Sequence, residues 1–201
     1  MEAGRPDTIT ADKLKVLREH GISRISINPQ TMNQETLDLI GRLHTVEQIR
    51  ETFAMARQMG FDNINMDLIV GLPGEGPGEV RYTMEEIARM DPDSVTVHSL
   101  ALKRATRLHL FRDEYEEISF QNSGAIMDMT AEFCRRAGLA PYYLYRQKYM
   151  SGSFENVGWS KDGKDCLYNI YMMEELHTIL SLGGGGMNKV NLPDGSLQRF
   201  H

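Results

Sequence analysis

Asn63-Ile64-Asn65-Met66-Asp67-Leu68-Ile69-Val70, closed by Gly71-Leu72-Pro73-Gly74, is the stretch on which the fold turns. It is rich in apolar and β-branched side chains and ends in glycine and proline, which reads as a buried strand stopped by a loop. Just upstream, Thr45 to Met59 sets Val46, Ile49, Phe53 and Ala56 at helical spacing and stops at Gly60. Just downstream, Pro77 opens a helix over residues 77–90, and Ser94 to Leu100 reads as the next strand. Further out, Ile22-Ser23-Arg24-Ile25-Ser26-Ile27 alternates apolar and polar, the period of a strand with unlike faces. A helix capped by Thr10 and ended by Gly21 precedes it, and residues 33–42 read as another helix. Strands beginning near residues 22, 64 and 94, with helix between them, predict a parallel α/β arrangement. Periodicity leaves two forms open: half of a (β/α) barrel, or a doubly wound sheet.

Beyond residue 101 the pattern loosens. Ala105 to Glu117 is charged and helical at its start, Asn122 to Ala137 is an amphipathic helix closed by Gly138, and Tyr142 to Tyr149 reads as a strand. Cys166 to Leu180 is apolar and fits helix or strand, and Asn191-Leu192-Pro193-Asp194-Gly195 has the residues of a hairpin turn. The 201 residues are 41% hydrophobic and 25% charged, which excludes collagen-like, disordered and coiled-coil classes. A formal charge of -6 argues against a partner bound through a nucleic-acid backbone. No apolar run approaches the ~18–20 residues of a membrane span, and the start lacks the layout of a signal peptide. Two cysteines, Cys134 and Cys166, point to a reducing cytoplasm rather than a disulfide framework. They are too few for a thiolate-only zinc or iron–sulfur site.

In parallel α/β folds, chemistry gathers at the carboxyl ends of the strands. Gln30, Asp67, His98 and Ser99 fall there. Asp67 lies inside an apolar strand, where an unpaired carboxylate costs several kcal/mol, so it is either a site residue or the cap of a neighbouring loop. Arg42, near a helix end beside His44, reads first as a complement to the helix dipole. Gly183 to Gly186 can present backbone N–H groups to a ligand but lacks a phosphate-loop spacing. Tyr142, Tyr143, Tyr145 and Tyr149 read as sheet packing, and Lys189 as a solvated cation. Arg104, Arg146 and Lys148 could meet carboxylates, though solvated surface cations are the commoner case.

The order of the motifs says more than any one of them. Gly21-Ile22-Ser23-Arg24-Ile25-Ser26-Ile27-Asn28-Pro29-Gln30, then Leu39 to His44, then Ala56 through Gly74 resemble, in order and spacing, the coproporphyrinogen oxidase branch of radical S-adenosylmethionine (SAM) enzymes. Tyr142 to Tyr149, Glu155-Asn156-Val157-Gly158-Trp159, and Cys166-Leu167-Tyr168-Asn169-Ile170 resemble the HemZ-type coproporphyrinogen dehydrogenases within it. The haem-chaperone branch would carry a His-Asn-x-x-Tyr-Trp motif where this chain has Cys166-Leu167-Tyr168-Asn169.

The resemblance implies an α/β fold: the C-terminal part of a partial (β/α) barrel over residues 1–104, followed by a smaller α+β extension over residues 105–201. It implies oxidative decarboxylation of a tetrapyrrole propionate to a vinyl group, begun by a 5′-deoxyadenosyl radical from SAM and a 4Fe-4S cluster, with an electron-donor protein as partner. Glu2, Gln30, Arg42 and Asp67 align with SAM-contacting positions, Asp67 with a ribose contact, and Ala101 and Met187 with contacts on the adenine side. The family's Cys-x-x-x-Cys-x-x-Cys loop is absent, so no metal ligand is expected in this chain. The expectation is therefore a C-terminal piece of a longer enzyme, inactive by itself. A tetrapyrrole- or haem-binding module without SAM turnover is the alternative.

Overall fold

The computed structural model describes residues 1–101, 122–146, 154–175, 177–183 and 185–200. These form two compact units, Met1–Lys164 and Asp165–His201, each taken by itself below. The helix expected over Ala105–Glu117, and Arg104, Lys148, Tyr149 and Gly184, lie outside the described residues.

In the first unit, β1 (Glu2–Gly4) leads through a 3₁₀ turn (Pro6–Thr8) into α1 (Ala11–Glu19). Then follow β2 (Arg24–Ile27), α2 (Gln34–Leu39), α3 (Val46–Gln58), β3 (Asn63–Val70), α4 (Pro77–Met90) and β4 (Ser94–Ser99). After residue 121 come α5 (Gly124–Arg136), β5 (Ala140–Tyr145) and β6 (Asn156–Ser160). The helix starts are chemically specified. Thr10 and Ser123 accept from the backbone N–H three residues on, and Thr45 with Gln48 forms a reciprocal capping box. The helix expected over 33–42 is shorter, because Gly41 turns left-handed (φ 73°) and Arg42 N–H closes onto Leu37 O at 2.8 Å.

The sheet order is β1-β2-β3-β4-β6-β5. β1 to β4 are parallel and lie side by side in chain order, while β6 runs antiparallel to both β4 and β5. A doubly wound sheet would reverse its strand order at a switch point. Sequential winding is that of a (β/α) barrel, so the alternative left open by periodicity closes in favour of the half-barrel. β1 escapes sequence reading because it is three residues long; its pairing with β2 makes it a strand.

β3 is not uniformly apolar. Ile64, Met66, Leu68 and Val70 join Ile25, Ile27, Val95 and Val97 in the core beneath the helices, all nearly fully buried. Each such side chain contributes ~1.5–3 kcal/mol by leaving water. Register places the alternate residues Ser26, Asn65, Asp67, Thr96 and His98 on the opposite, inner face. At the amino ends of the strands, Asp93 accepts from Ile64 N–H (2.8 Å) and from Arg57 (2.6 Å), tying β3, β4 and α3 together. The inner face continues onto β5, where Tyr143 leans across Gly158 of β6 toward Thr96.

In the second unit, α6 (Leu167–Glu174) precedes a hairpin of β7 (Asn188–Asn191) and β8 (Leu197–Phe200). The expected turn is present: Asp194 accepts from Ser196 N–H, and Gly195 N–H bonds Leu192 O. Lys189 is not solvated. It donates to Glu175 (2.7 Å) and to Met172 O (3.1 Å), because β7 carries it inward against the residues that end α6. Among the described residues, no helix is long and apolar enough to cross a membrane.

A β-carbon added at Gly158 would run into the ring of Tyr143. Gly158→Ala is therefore expected to destabilise the first unit by about 1–3 kcal/mol. In a Tyr143→Ala background the same change should cost less than half as much. Urea denaturation of the four proteins measures both.

Candidate functional site

Parallel winding brings the carboxyl ends of β1 to β4 to one edge, and a single hydrogen-bonded row crosses the inner face there. Asn65 Nδ2 donates to Asp67 Oδ1 (2.7 Å) and to Ser26 Oγ (2.8 Å), and its Oδ1 accepts from Thr96 Oγ1 (3.3 Å). Ser26 donates to Asn28 Oδ1 (3.1 Å), and Asn28 Nδ2 donates to Glu2 Oε1 (2.6 Å). A carboxylate stands at each end and the amides between them donate toward both, so two anions set the polarity of the row. Past Asp67, His98 Nε2 lies 3.8 Å from Oδ1, and His98 Nδ1 lies 3.1 Å from the Tyr145 hydroxyl.

The two carboxylates are pushed apart electrostatically. Burial raises Asp67, but His98, Asn65 and Thr96 outweigh it and hold the group below the usual carboxylate range. Burial raises Glu2, the Asp67 charge adds to the rise, and the Asn28 hydrogen bond opposes it. Asp67 is thus the committed anion of the pair, and Glu2 is the more easily protonated.

Gln30 follows β2 in a left-handed conformation (φ 72°), unusual for a residue with a side chain. Its N–H bonds Asp67 O (3.0 Å) and its C=O accepts from Ile69 N–H (2.9 Å), so it grips β3 on both sides of Leu68. The next turn is locked from beneath. Glu75, 2% exposed, accepts from Thr31 Oγ1 (2.5 Å) and Asn33 Nδ2 (2.9 Å), while Thr83 Oγ1 accepts from Met32 N–H (3.0 Å). Burial pushes the Glu75 carboxyl up, and hydrogen bonds from Thr31, Asn33 and Thr36 partly offset it.

Arg42 stands beyond α2 rather than in its last turn, so the dipole role gives way to a different setting. It is half-buried; burial and the nearby Arg5 charge lower its proton affinity, and Asp7 opposes them. His44, fully buried, donates from Nε2 to Pro29 O (3.3 Å). Among the described residues its Nδ1 has no hydrogen-bond partner, and it lies 3.9 Å from Asp7 Oδ1. Burial pushes His44 below the usual histidine value and keeps the ring neutral.

The structure therefore joins Glu2 and Asp67 in one network and fastens Gln30 to the same strand. Arg42 is grouped with Arg5, Asp7 and His44. Ala101 follows β4 at the same edge, after Leu100 N–H bonds Val70 O (2.9 Å). Met187 belongs to the second unit, where its C=O accepts from Ser181 Oγ (2.8 Å). Arg146 is an exposed partner of Glu155 (3.2 Å). Sequence reading passed over Ser26, Asn28, Asn65, Thr96 and Glu75. The available signal was polar residues two apart in or just past three successive strands: Ser26 and Asn28, Asn65 and Asp67, Thr96 and His98.

Glu75→Gln keeps the oxygen that accepts from Thr31 and Asn33 and removes the buried ionisation. A carboxyl with a raised folded pKa stabilises at low pH and loses that contribution as pH rises above its unfolded value of about 4.3. The stability of Glu75→Gln relative to the parent should therefore grow from pH 4 toward neutrality. Glu75→Ala, which orphans the donors, should cost about 1–3 kcal/mol. Denaturant midpoints across pH check both.

Residues 3–87 match the Radical SAM superfamily. The whole chain is 45% identical to the oxygen-independent coproporphyrinogen-III oxidase-like protein HemZ of Bacillus subtilis, spanning 40% of that protein. Over 120 residues, 55% of the chain, it is 35% identical to the heme chaperone HemW of the same organism and spans 32% of it. The fold superposes on coproporphyrinogen III oxidase (HemN) of Escherichia coli with a TM-score of 0.61 at 22% identity, over 92% of this chain and 41% of that one. The sequentially wound half-barrel, its polar inner face and the family match agree on one stretch: residues 3–87 belong to the radical SAM superfamily.

Proposed function

We propose that this chain forms part of an oxygen-independent coproporphyrinogen III dehydrogenase, which converts a tetrapyrrole propionate to a vinyl group with loss of carbon dioxide, one hydrogen atom and one electron. The observation that carries the reading is the ionised Asp67, held by Asn65 and His98 at the carboxyl edge of a radical SAM half-barrel. The full-length 45% identity to HemZ supports the choice of branch.

The donors at this edge fit SAM. Asp67 offers an acceptor for ribose hydroxyls and Glu2 an acceptor for an ammonium group. Arg42, whose guanidinium makes no hydrogen bond among the described residues, offers a carboxylate clamp. Gln30 and the backbone around Ala101 complete the edge, and Met187 is assigned to the adenine side by resemblance. When bound, SAM supplies hydrogen-abstracting chemistry that no side chain here possesses. The protein binds and orients it, and keeps Asp67 charged. The cysteines do not fit a 4Fe-4S cluster: there are two, Cys134 is buried with its thiol pushed up to about 12, and Cys166 belongs to the second unit. The cluster and the electron donor are therefore assigned to the longer protein, and its setting to the reducing cytoplasm that suits free thiols.

A second reading, a haem-binding module without SAM turnover, draws on the 35% identity to HemW. A protein of the relatives' full length carrying this sequence, reconstituted with iron and sulfide, separates the two. Coproporphyrinogen-dependent SAM cleavage with protoporphyrinogen formation is expected, and tight haemin binding without SAM cleavage would overturn it. In the same protein, Asp67→Asn and Arg42→Ala should each weaken SAM binding by about 10–100-fold, the scale of a hydrogen bond to a charged group, as read by equilibrium dialysis.

A further inference from the structure

We propose that His98 is a positioning residue for Asp67, and that the Tyr145 hydroxyl sets the tautomer in which it acts. This rests on the reading of Asp67 as the acceptor of a nucleoside's ribose hydroxyls. Tyr145, His98 and Asp67 come from β5, β4 and β3 and stand in line on the inner face, with β6 between β5 and β4. Asn156, opposite Tyr145 on β6, turns its Oδ1 to the Ser99 N–H (2.8 Å). The Tyr145 ring spans that strand to bring its hydroxyl 3.1 Å from His98 Nδ1 and stands edge-on to the imidazole. Tyr143, two residues earlier, spans the same strand over Gly158, and its ring lies parallel to that of Tyr145 with 6.1 Å between centroids. The pair of rings holds the hydroxyl in place.

The tautomer follows from charge. His98 Nε2 faces Asp67 Oδ1 at 3.8 Å. A bare Nε2 lone pair turned toward a carboxylate would repel it, whereas an N–H attracts it. In the neutral ring Nε2 therefore carries the proton, Nδ1 is the acceptor, and Tyr145 donates to it. Tyrosine hydroxyl, imidazole and carboxylate thus form a line of aligned dipoles ending on Asp67 Oδ1, the oxygen that also accepts from Asn65. Two contacts on one oxygen fix the plane of the carboxylate, which is what a group recognising two neighbouring hydroxyls requires.

Two measurements on this chain test the proposal, and neither needs cluster or turnover. Long-range proton–nitrogen NMR of histidine-labelled protein should show the neutral His98 ring as the Nε2–H tautomer. Tyr145→Phe should introduce the other tautomer. An Nδ1–H ring in the parent protein overturns the proposal. Binding of adenosine against 2′,3′-dideoxyadenosine, followed by NMR titration, then reads recognition of the diol. His98→Leu should reduce the preference for adenosine by about 3–10-fold, and His98→Gln, which keeps an N–H donor, should restore most of it. If Asp67→Asn abolishes the preference while His98→Leu leaves it intact, His98 does not position Asp67. If Asp67→Asn itself leaves the preference intact, the ribose reading of Asp67 falls instead, and the tautomer measurement still judges the Tyr145–His98 line.

Discussion

A carboxylate in the middle of a central strand must be partnered, and much of the inner face follows from that constraint. Asp67 is supplied by Asn65 from its own strand and by His98 from the next. Asn65 in turn needs acceptors and a donor, which Ser26 and Thr96 provide. Ser26 passes the polarity to Asn28 and so to Glu2. A buried polar network with unpaired members is worse than an apolar core, so each member restricts the identity of the next. The outer face has no such demand and is filled by interchangeable aliphatic side chains.

The two ends of the sheet divide the work. At the amino end, Asp93 and Arg57 pin strands to a helix, a contact concerned with stability. At the carboxyl end, Glu75 locks the turn that follows Gln30, and Gln30 holds a left-handed backbone against β3. A buried, easily protonated Glu75 and a strained Gln30 side by side are the kind of cost a fold carries where it must hold a surface in one shape.

Likeness to HemZ runs the length of the chain, yet the chain spans 40% of that protein. What the described residues show is a polar network that fixes the positions of two carboxylates at one edge of the sheet. Asp67 is held below the usual carboxylate range, Glu2 is raised and Arg42 is half-buried, while the thiols present are too few for a four-thiolate iron site. Separation of cofactor chemistry from protein positioning is general in cofactor enzymes.

Local chemistry made much of this legible. Alternating and apolar runs marked β2, β3 and β4; Thr10, Thr45 and Pro77 marked helix starts; and a carboxylate in an apolar strand singled out Asp67 before any contact was known. Hydrophobic period and caps are read within a few residues, so sequence by itself determined β2, β3, β4 and the helices between them, and that Asp67 must have partners; β1, too short to carry a period, it did not. It could not name those partners. Whether the strands wind sequentially, that Ser26 lies beside Asn65, that Tyr145 reaches over β6 to His98, and that Lys189 meets Glu175 were decided by the tertiary structure alone. Register and strand order join residues far apart in the chain, and no local preference encodes which distant strand will lie alongside.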